Sequence, residues 1–495
     1  MNRLTIWFTS DTHGYLFDTN YISRESLDQG LLGFDFPKDG NTLVIDGGDT
    51  TQGSPLTNYC LHEGNRLPVM DAMNHLGYDY VTLGNHDFNN GPAWIESYLN
   101  GLDARCLCAN VQDKQGSLPI APWVVHVLEN GLRIGIVGIV TDWVNVWEKP
   151  ENLTRLTVTD PMDAAVRAVE ALKQQGVDVL VGIYHGGVEE DLKTGRILSD
   201  TGENIACQLC RRLPFDLLLT GHQHISIVGK NYHGTHIVQP TNNAVNAVRI
   251  TMDAEGVFHS ELVYPHRSPV LTDAQAAFHD QLERWLDQPI GVFSKPILPG
   301  DKLDMALHGT PIADFFNKVQ LWASGADISC TALPNELKGF ERNVTVRDVV
   351  SSYVYSNTLV VMEVSGRILR LALEQCARYF AVDAHGGISI SPSFLIPKEE
   401  HYNYDYYSGI TYSFDLSKPE GERVSRLERA GSPIKDEDIF QLVMSNYRAT
   451  GAGNFEMFRD CKHIREISLE VSDMIINYIF EKRYITVEEK RSIVS

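Results

Sequence analysis

Three side chains with different chemistries stand in succession near position 86: the amide of Asn85, the imidazole of His86 and the carboxylate of Asp87. They follow a short apolar run and a glycine. Polar groups at the end of a buried strand lower stability unless something binds them. A metal ion would be a partner for the Asn85 carbonyl, and a reaction on a nearby anion would use His86.

Four other apolar runs also end in side chains that can bind a metal, each beside a glycine. These side chains are Asp11 and His13, Asp49, His185, and His222 and His224. Taken singly, each is also explained by a Gly-Asp turn or by surface histidines. Five such strand ends in succession are far better explained by one shared site.

The mixture of ligand types indicates which metals would bind. Carboxylate and amide oxygens combined with imidazoles suit Mn, Zn, Fe or Co, and they disfavour a structural zinc held by thiolates. With Asn85 there are seven candidate ligands, too many for one tetrahedral ion. They suffice for two ions that share one carboxylate, so we predict two divalent metal ions as cofactors.

The elements that must position these ligands are buried strands separated by helices. Strands are predicted at 4–9, 42–45, 80–81, 133–140, 177–184 and 215–220. Apolar spacing at 161–175, after an initial proline, predicts an amphipathic helix. Alternating strands and helices predict an α/β fold, in which ligands bind beyond the carboxyl ends of the strands.

Length and charge limit the classes of function. A chain of 495 residues exceeds one hydrophobic core, so two or more domains are expected. The net charge of −22 argues against a nucleic-acid polymer or an anionic membrane as partner. Small anionic substrates stay open, because bound metal ions reverse the local charge. No obligate protein partner is predicted.

Targeting signals are not visible in the sequence. The chain enters a predicted strand at once, without the charged and apolar regions of a signal peptide. No stretch approaches the roughly 20 apolar residues of a transmembrane helix. This pattern predicts a cytoplasmic protein, and the alternative is an exported protein whose signal sequence has been removed.

The order of the five blocks, D-x-H, G-D, G-N-H-D, H-G-G and G-H-x-H, resembles the calcineurin-like metallophosphoesterase superfamily. The resemblance covers roughly the first 225 residues and implies an N-terminal β-sandwich flanked by helices. It implies that one ion is held by Asp11, His13, Asp49 and His224, and the other by Asp49, Asn85, His185 and His222. Asp49 would bridge the ions, His86 would lie beside the substrate phosphate, and Asp87 is assigned to the scaffold.

The second half resembles the C-terminal domain of 5′-nucleotidases. The matching segments are 308–316, 326–329, 344–349 and 446–451. The resemblance implies an α+β domain at 301–495 that binds the base and ribose of a nucleotide, after a phosphoesterase domain at 1–265. Residues 266–300 contain several prolines and are expected to form a linker helix and a hinge.

Within this family, a tyrosine-rich segment at 403–412 resembles the bacterial 2′,3′-cyclic-nucleotide 2′-phosphodiesterase/3′-nucleotidases. Asn89 stands where 5′-nucleotidases usually have the Asp that orients the catalytic His. The segment around Asn335 replaces the N-x-G-x-x-R run that clamps a 5′-phosphate. By the same resemblance Tyr404 and Tyr447 would clamp the base between their rings, and Asn335 is a further substrate-binding candidate.

The resemblance implies an enzyme that hydrolyses phosphate esters of nucleotides, with 2′,3′-cyclic nucleotides and 3′-nucleotides favoured, by attack of a hydroxide held on the metal ions. His86, oriented by Asn89, would stabilise the transition state or protonate the leaving oxygen. The alternatives are a 5′-nucleotidase and a UDP-sugar or dinucleotide pyrophosphatase. A nucleotide-binding protein without activity is a remote third alternative, because the ligand set is intact.

Overall fold

The computed structural model describes residues 3–21, 25–64, 66–148, 150–198, 202–355, 357–467 and 469–487. The chain divides into two compact units, Met1–Ala276 and Ala277–Ser495. Each unit mixes helices with sheets. This agrees with the predicted sequence of an α/β domain followed by an α+β domain.

Within the described residues, the first unit is built on two large sheets. The strand order in one is Phe258–Val263, Ala247–Met252, Leu4–Thr9, Thr42–Asp46, Tyr80–Val81, Arg105–Leu107, Ile120–Ala121. The order in the other is Ile227–Tyr232, Thr235–Gln239, Leu217–Thr220, Val179–His185, Arg133–Val140, Trp123–Val127. A small ribbon pairs Val111–Asp113 with Leu156–Val158.

Helices connect these strands. The described α-helices of the unit are Pro55–Glu63, Val69–Leu76, Gly91–Gly101, Val144–Trp147, Pro161–Gln174 and Ala206–Arg212. Single 3-10 turns lie at Leu31–Gly33, Asn85–Phe88 and Pro150–Leu153. The helix Pro161–Gln174 begins as predicted, because Asp160 accepts a hydrogen bond from the Asp163 backbone N–H and proline occupies the first turn.

The two sheets pack face to face through an apolar core. Ile6 and Phe8 from the first sheet lie in the same buried cluster as Ile134 and Ile136 from the second. Removing these side chains from water is the main stabilising contribution to such a sandwich. On its other face the second sheet packs against the helix Pro161–Gln174 through another buried cluster. The predicted β-sandwich flanked by helices is therefore confirmed.

Parallel pairing brings the ends of the central strands to common edges. Three parallel neighbours in the first sheet are Leu4–Thr9, Thr42–Asp46 and Tyr80–Val81. Three in the second sheet are Arg133–Val140, Val179–His185 and Leu217–Thr220. Because parallel strands run in one direction, the loops that carry the predicted metal ligands leave each sheet along one edge.

The described strands of the second unit form smaller sheets. A five-stranded sheet has the order Asp405–Ser408, Ile328–Ala332, Ile439–Ser445, Leu359–Ser365, Lys462–Ile467. Three-stranded sheets contain Asn343–Thr345, Pro289–Phe293, Tyr484–Ile485 and, separately, Thr411–Phe414, Val424–Arg429, Ser432–Pro433. A ribbon pairs Phe380–Val382 with Ile388–Ile390.

Six α-helices lie wholly within the described part of this unit: Lys302–His308, Pro311–Ser324, Val346–Val350, Gly366–Ala377, Asn446–Ala449 and Val471–Lys482. Single 3-10 turns lie at Pro392–Phe394, His401–Asn403 and Glu456–Phe458. Thr310 caps the first turn of Pro311–Ser324 by accepting from the Ile312 N–H, and Gly325 ends that helix with φ of 64°. Among the described helices of the whole chain, each is too short or too polar to cross a bilayer.

The division between the units lies within residues 266–300, and the linker expected there stays a prediction. The division falls inside the helix Asp273–Leu286. The strand Pro289–Phe293 already pairs with Asn343–Thr345 and Tyr484–Ile485 in the second unit. Pro289, one of the prolines in the expected hinge, therefore begins a strand of the second unit, where proline is tolerated at the strand end.

Candidate metal centre

The loops after the parallel strands gather the predicted ligands into two groups. One group is Asp11, His13 and His224, and the other is Asp49, His185 and His222. Within each group, one ligand atom from each residue lies within 4.8 Å of the others. Asn85 joins the second group, because its Oδ1 lies 2.8 Å from Nδ1 of His222 and 3.2 Å from Nε2 of His185. The structure thus brings all seven predicted ligands together.

Asp11 is fixed by donors that leave part of its carboxylate facing a histidine. The backbone N–H of His222 donates to both of its oxygens, at 3.0 and 3.1 Å. The Ser10 hydroxyl donates to Oδ2 at 2.6 Å. Oδ1 lies 3.3 Å from Nε2 of His224. A cation between Asp11 and His224 would therefore meet a carboxylate whose position is already set.

Two of the histidines are held by backbone carbonyls in the orientation that metal binding needs. Nδ1 of His13 donates to the Gln52 carbonyl at 2.8 Å, and Nδ1 of His185 donates to the Gly47 carbonyl at 2.7 Å. A carbonyl only accepts, so each Nδ1 carries a proton, and each ring turns Nε2 towards the site, where its lone pair would bind a metal ion. Nε2 of His185 faces Oδ2 of Asp49 at 3.2 Å. A positive charge, either a proton on Nε2 or a metal ion, is therefore favoured between these two atoms.

Asp49 supplies a direct test of whether the residues fit a metal ion. Its Oδ1 accepts from the His86 backbone N–H at 2.7 Å. Its Oδ2 is buried and has no hydrogen-bond donor in the described part of the chain. Leaving a buried acceptor unsatisfied costs about 1–3 kcal/mol. A divalent ion removes that cost, so the residues present fit the predicted metal.

The electrostatics of the site also favour a cation. Burial opposes ionisation of Asp11, but the hydrogen bond from His224 and the charge on His185 outweigh it and hold the pKa of Asp11 well below its usual range. Burial likewise opposes ionisation of Asp49, and His185 again holds its pKa low. Burial would lower the pKa of His185, but Asp49 raises it to about 10. The buried carboxylates thus recruit positive charge, which a divalent ion supplies more strongly.

The ligand residues occupy an uncommon backbone conformation. Five have left-handed φ angles: Asp11 (55°), His13 (51°), Asp49 (57°), His222 (72°) and His224 (57°). Such angles are rare outside glycine, although Asp, Asn and His adopt them more readily than other residues. They persist where surrounding bonds fix them, as when the Asp11 N–H donates to the Gly48 carbonyl at 2.9 Å. The loop shape is therefore set by the protein.

Asp87 holds the loops of the site together. Its Oδ2 accepts from the backbone N–H groups of Gly84 at 2.8 Å and Asp49 at 2.9 Å. Its Oδ1 accepts from the N–H of Thr50 at 3.1 Å and from the N–H and hydroxyl of Thr51, both at 2.9 Å. All five partners are donors, which agrees with the predicted scaffold role.

His86 lies beside the first group of ligands, and its ring centroid is 5.5 Å from that of His13. Its Nδ1 is 2.8 Å from Oδ1 of Asn89. The predicted contact between these two side chains is therefore present. Their catalytic role stays a prediction.

Two family models match the chain. Residues 4–226 match calcineurin-like phosphoesterase, and residues 289–460 match the 5′-nucleotidase C-terminal domain. The chain belongs to the calcineurin-like phosphoesterases and carries a 5′-nucleotidase C-terminal domain. All seven predicted metal ligands lie in the phosphoesterase part. Calcineurin-like phosphoesterases use a dinuclear divalent metal centre, and the two ligand groups of this chain accord with that.

Several relatives resemble this phosphoesterase over most of its length. The trifunctional nucleotide phosphoesterase protein YfkN of Bacillus subtilis is 24% identical over 97% of this chain, which spans only 38% of YfkN. A 2′,3′-cyclic-nucleotide 2′-phosphodiesterase/3′-nucleotidase of Salmonella typhimurium is 26% identical, with 90% of this chain and 81% of the relative covered.

A solved structure of a Staphylococcus aureus protein, described as a candidate 5′-nucleotidase, is also similar to this phosphoesterase. It is 29% identical, has a TM-score of 0.88 and covers 98% of this chain and 100% of its own. A 5′-nucleotidase precursor from Thermus thermophilus has a TM-score of 0.69 at 22% identity, with 99% of each chain covered, and shows the same fold.

Two residues that hold His222 in this phosphoesterase were not identified from the sequence. Nε2 of His222 is 2.7 Å from Oε1 of Glu203. The Trp147 ring stacks on the imidazole, with centroids 5.4 Å apart and planes at 22°. Glu203 accepts the Nε2 proton and leaves Nδ1, which faces Asn85, as the atom that could bind a metal ion. Neither residue belongs to a motif, so only the fold reveals them.

Glu203→Gln should weaken binding of one divalent ion about 10–100-fold. A carboxamide can donate to Nε2 of His222 and so permit the tautomer in which Nδ1 is protonated and cannot bind a metal. Calorimetric titration of metal-free protein with Mn²⁺ measures the effect. Glu170→Gln, on an exposed position of the helix Pro161–Gln174, is the matched control. Equal affinity in the two variants would show that Glu203 does not set the tautomer.

The predicted base-stacking role of Tyr404 is contradicted by its position in the second unit. The side chain is 1% exposed, and its hydroxyl donates to the Ala306 carbonyl at 3.0 Å. Its ring packs against Tyr379 and Tyr406, with centroids 5.0 and 4.9 Å away. Core neighbours already cover the ring, so it offers no open face to a base. Family resemblance suggested the residue by its place in the sequence, which does not determine where the side chain lies.

The other two substrate-binding candidates have different outcomes. The Asn335 amide ties two loop segments together, donating to the Glu399 carbonyl at 2.7 Å and accepting from the His401 N–H at 3.1 Å. This structural role accounts for Asn335 without a ligand. Tyr447 is partly exposed, with the Arg448 guanidinium 5.8 Å from its ring centroid. A role for Tyr447 in base stacking stays a prediction.

Proposed function

We propose that this phosphoesterase hydrolyses phosphate esters of nucleotides, with 2′,3′-cyclic nucleotides and 3′-nucleotides as favoured substrates. The observation that carries the proposal is the convergence of Asp11, His13 and His224 with Asp49, His185 and His222 as two ligand groups in one domain. The names of the Bacillus and Salmonella relatives support nucleotides as the substrate class. The 5′-nucleotidase C-terminal domain supports the same class.

Some residues of the site would bind the metal ions, and His86 with Asn89 would act on the leaving group. Two divalent ions, drawn from Mn, Zn, Fe or Co, would neutralise phosphate oxygens and lower the pKa of a bound water. Asn85 contributes a neutral oxygen, so its site keeps more positive charge than a third carboxylate would leave. His86 hydrogen-bonds to the leaving ribose oxygen, which is a poor leaving group without a donor. Asn89 orients His86 without adding an opposing charge.

A 5′-nucleotidase is the second candidate, favoured by the likeness to the Staphylococcus aureus structure. Purified protein with Mn²⁺ is offered 2′,3′-cyclic AMP, 3′-AMP, 5′-AMP and UDP-glucose, and phosphate release is followed. We expect turnover of the first two compounds and none after chelation. Turnover of 5′-AMP without the cyclic compound would favour the second candidate, and turnover of UDP-glucose alone would favour a pyrophosphatase. No turnover of any compound would reject all three activities.

A further inference from the structure

A carboxylate that belongs to none of the sequence motifs lies behind the His86–Asn89 pair. Glu148 directly follows the helix Val144–Trp147. Its Oε2 accepts from Nδ2 of Asn89 at 2.8 Å, across 59 positions of the chain. Its Oε1 accepts from Nδ2 of Asn152 at 2.9 Å. The Asn152 amide also donates to the backbone carbonyl of Asn89 at 2.7 Å, so the three side chains form one network.

The hydrogen-bonding capacities in this network determine how the Asn89 amide is turned. An ionised carboxylate only accepts, so Glu148 requires the NH₂ end of Asn89. The oxygen of the amide therefore faces His86, at 2.8 Å from Nδ1. Because that oxygen only accepts, Nδ1 of His86 must carry a proton. Nε2 is left as the nitrogen that meets the substrate.

We propose that Glu148 is a positioning residue, which acts through Asn89 to hold His86 with Nδ1 protonated and Nε2 directed to the reaction. The inference rests on the proposed function for its catalytic consequence, but the tautomer it assigns to His86 is independent of any activity. Glu148 supplies the negative charge that an amide at position 89 lacks, one residue further from the imidazole. Asn89 and Glu148 thus form a relay, a chain of hydrogen bonds in which the donor and acceptor of each bond are fixed.

Exchanging the carboxylate of Glu148 and the amide of Asn89 tests the direction of these hydrogen bonds. Glu148→Gln introduces a carboxamide that can accept from Asn152 and donate to Asn89. Asn89 then turns its NH₂ towards His86 and favours the opposite tautomer. Asn89→Asp instead sets two carboxylates 2.8 Å apart, at the present Nδ2–Oε2 distance. The double variant restores a donor at position 148 for an acceptor at position 89, and Nδ1 of His86 again donates.

We expect each single variant to lower kcat for 3′-AMP about 10–100-fold. The double variant should recover to within about threefold of the wild type, since the relay is restored with its charges exchanged. The loss should be much smaller with p-nitrophenyl phosphate, whose leaving group needs no proton. Glu151→Gln, an exposed carboxylate in the same segment, is the matched control and should leave both rates unchanged. A double variant no better than the poorer single variant, or equal losses on both substrates, would overturn the proposal.

A spectroscopic measurement separates this inference from the proposed function. Metal-free protein labelled with ¹⁵N-histidine reports the tautomer of His86, with its signals identified by their loss in His86→Gln. We expect a protonated Nδ1 in the wild type and in the double variant, and a protonated Nε2 in Glu148→Gln. If the wild type hydrolyses no nucleotide, the proposed function fails while this result still supports Glu148. An unchanged tautomer in Glu148→Gln would reject the role of Glu148 even in an active enzyme.

Discussion

Replacing Asp49 by Asn should lower the rate of 3′-AMP hydrolysis about a thousandfold, which corresponds to roughly 4 kcal/mol of lost transition-state stabilisation. Asp49 Oδ2 is buried, lacks a hydrogen-bond donor in the described chain and faces Nε2 of His185 at 3.2 Å. A carboxamide would keep its oxygen on the His86 N–H and turn its NH₂ towards His185. The new N–H would donate to the Nε2 lone pair of His185, which would otherwise bind the metal ion. Both side chains would then have hydrogen-bond partners without a metal.

The same geometry predicts that Asp49→Asn separates activity from stability. Metal content after dialysis against Mn²⁺ should fall, while the Tm of the metal-free protein should equal or exceed that of the wild type. Asp103→Asn, at an exposed loop position, is the control for the loss of one negative charge and should change neither quantity. Wild-type activity in Asp49→Asn would show that Asp49 is not shared by two ions.

Replacing Asp87 by Asn should destabilise the metal-free protein by about 3 kcal/mol, because two buried donors would then face a third donor. Whichever way the amide turns, its NH₂ meets N–H groups: those of Gly84 and Asp49 on one side, or those of Thr50 and Thr51 on the other. Urea unfolding in the presence of a chelator measures the change without a contribution from metal binding.

Asp191→Asn is a matched control for this effect. Asp191 also accepts several hydrogen bonds, from the Lys193 and Thr194 N–H groups and the Thr194 hydroxyl, but these lie in an exposed turn. Water can replace a lost partner there, so we expect a change of about 0.5 kcal/mol or less. If the two variants lose equal stability, the convergence of donors on Asp87 is not what holds the loops of the site.

The convergence of the candidate metal ligands could be predicted from the sequence because local pattern and position coincide. Each follows a buried strand, and parallel strands deliver their ends to one edge of a sheet, so Asp11 and Asp49 had to lie near each other. Apolar periodicity is also a local pattern, and it predicted the approximate bounds of the strands of the phosphoesterase domain and of the helix Pro161–Gln174. The strand Pro289–Phe293 was not predicted, because a proline can lie in a linker and can begin a strand equally well.

Other parts of the site depend on contacts that no local pattern encodes. Glu148 reaches Asn89 across 59 positions, and Glu203 reaches His222 across 19, from segments without a motif. For Tyr404, in contrast, a local pattern was present but the role that it suggested was wrong. Its position in the chain suggested a ligand-binding ring, but its neighbours Tyr379 and Tyr406 bury it, and tertiary packing alone determines that outcome.

The left-handed backbone at Asp11, His13, Asp49, His222 and His224 restricts how these positions can vary during evolution. β-Branched and bulky side chains are strongly disfavoured there by the backbone itself, whatever the selection for catalysis. The residues that tolerate the conformation best, apart from glycine, are Asp, Asn and His, and each offers an oxygen or nitrogen to a metal. Neutral drift at these positions is therefore confined largely to residues that are still ligands, and a descendant could change its preferred ion before it lost the ability to bind one.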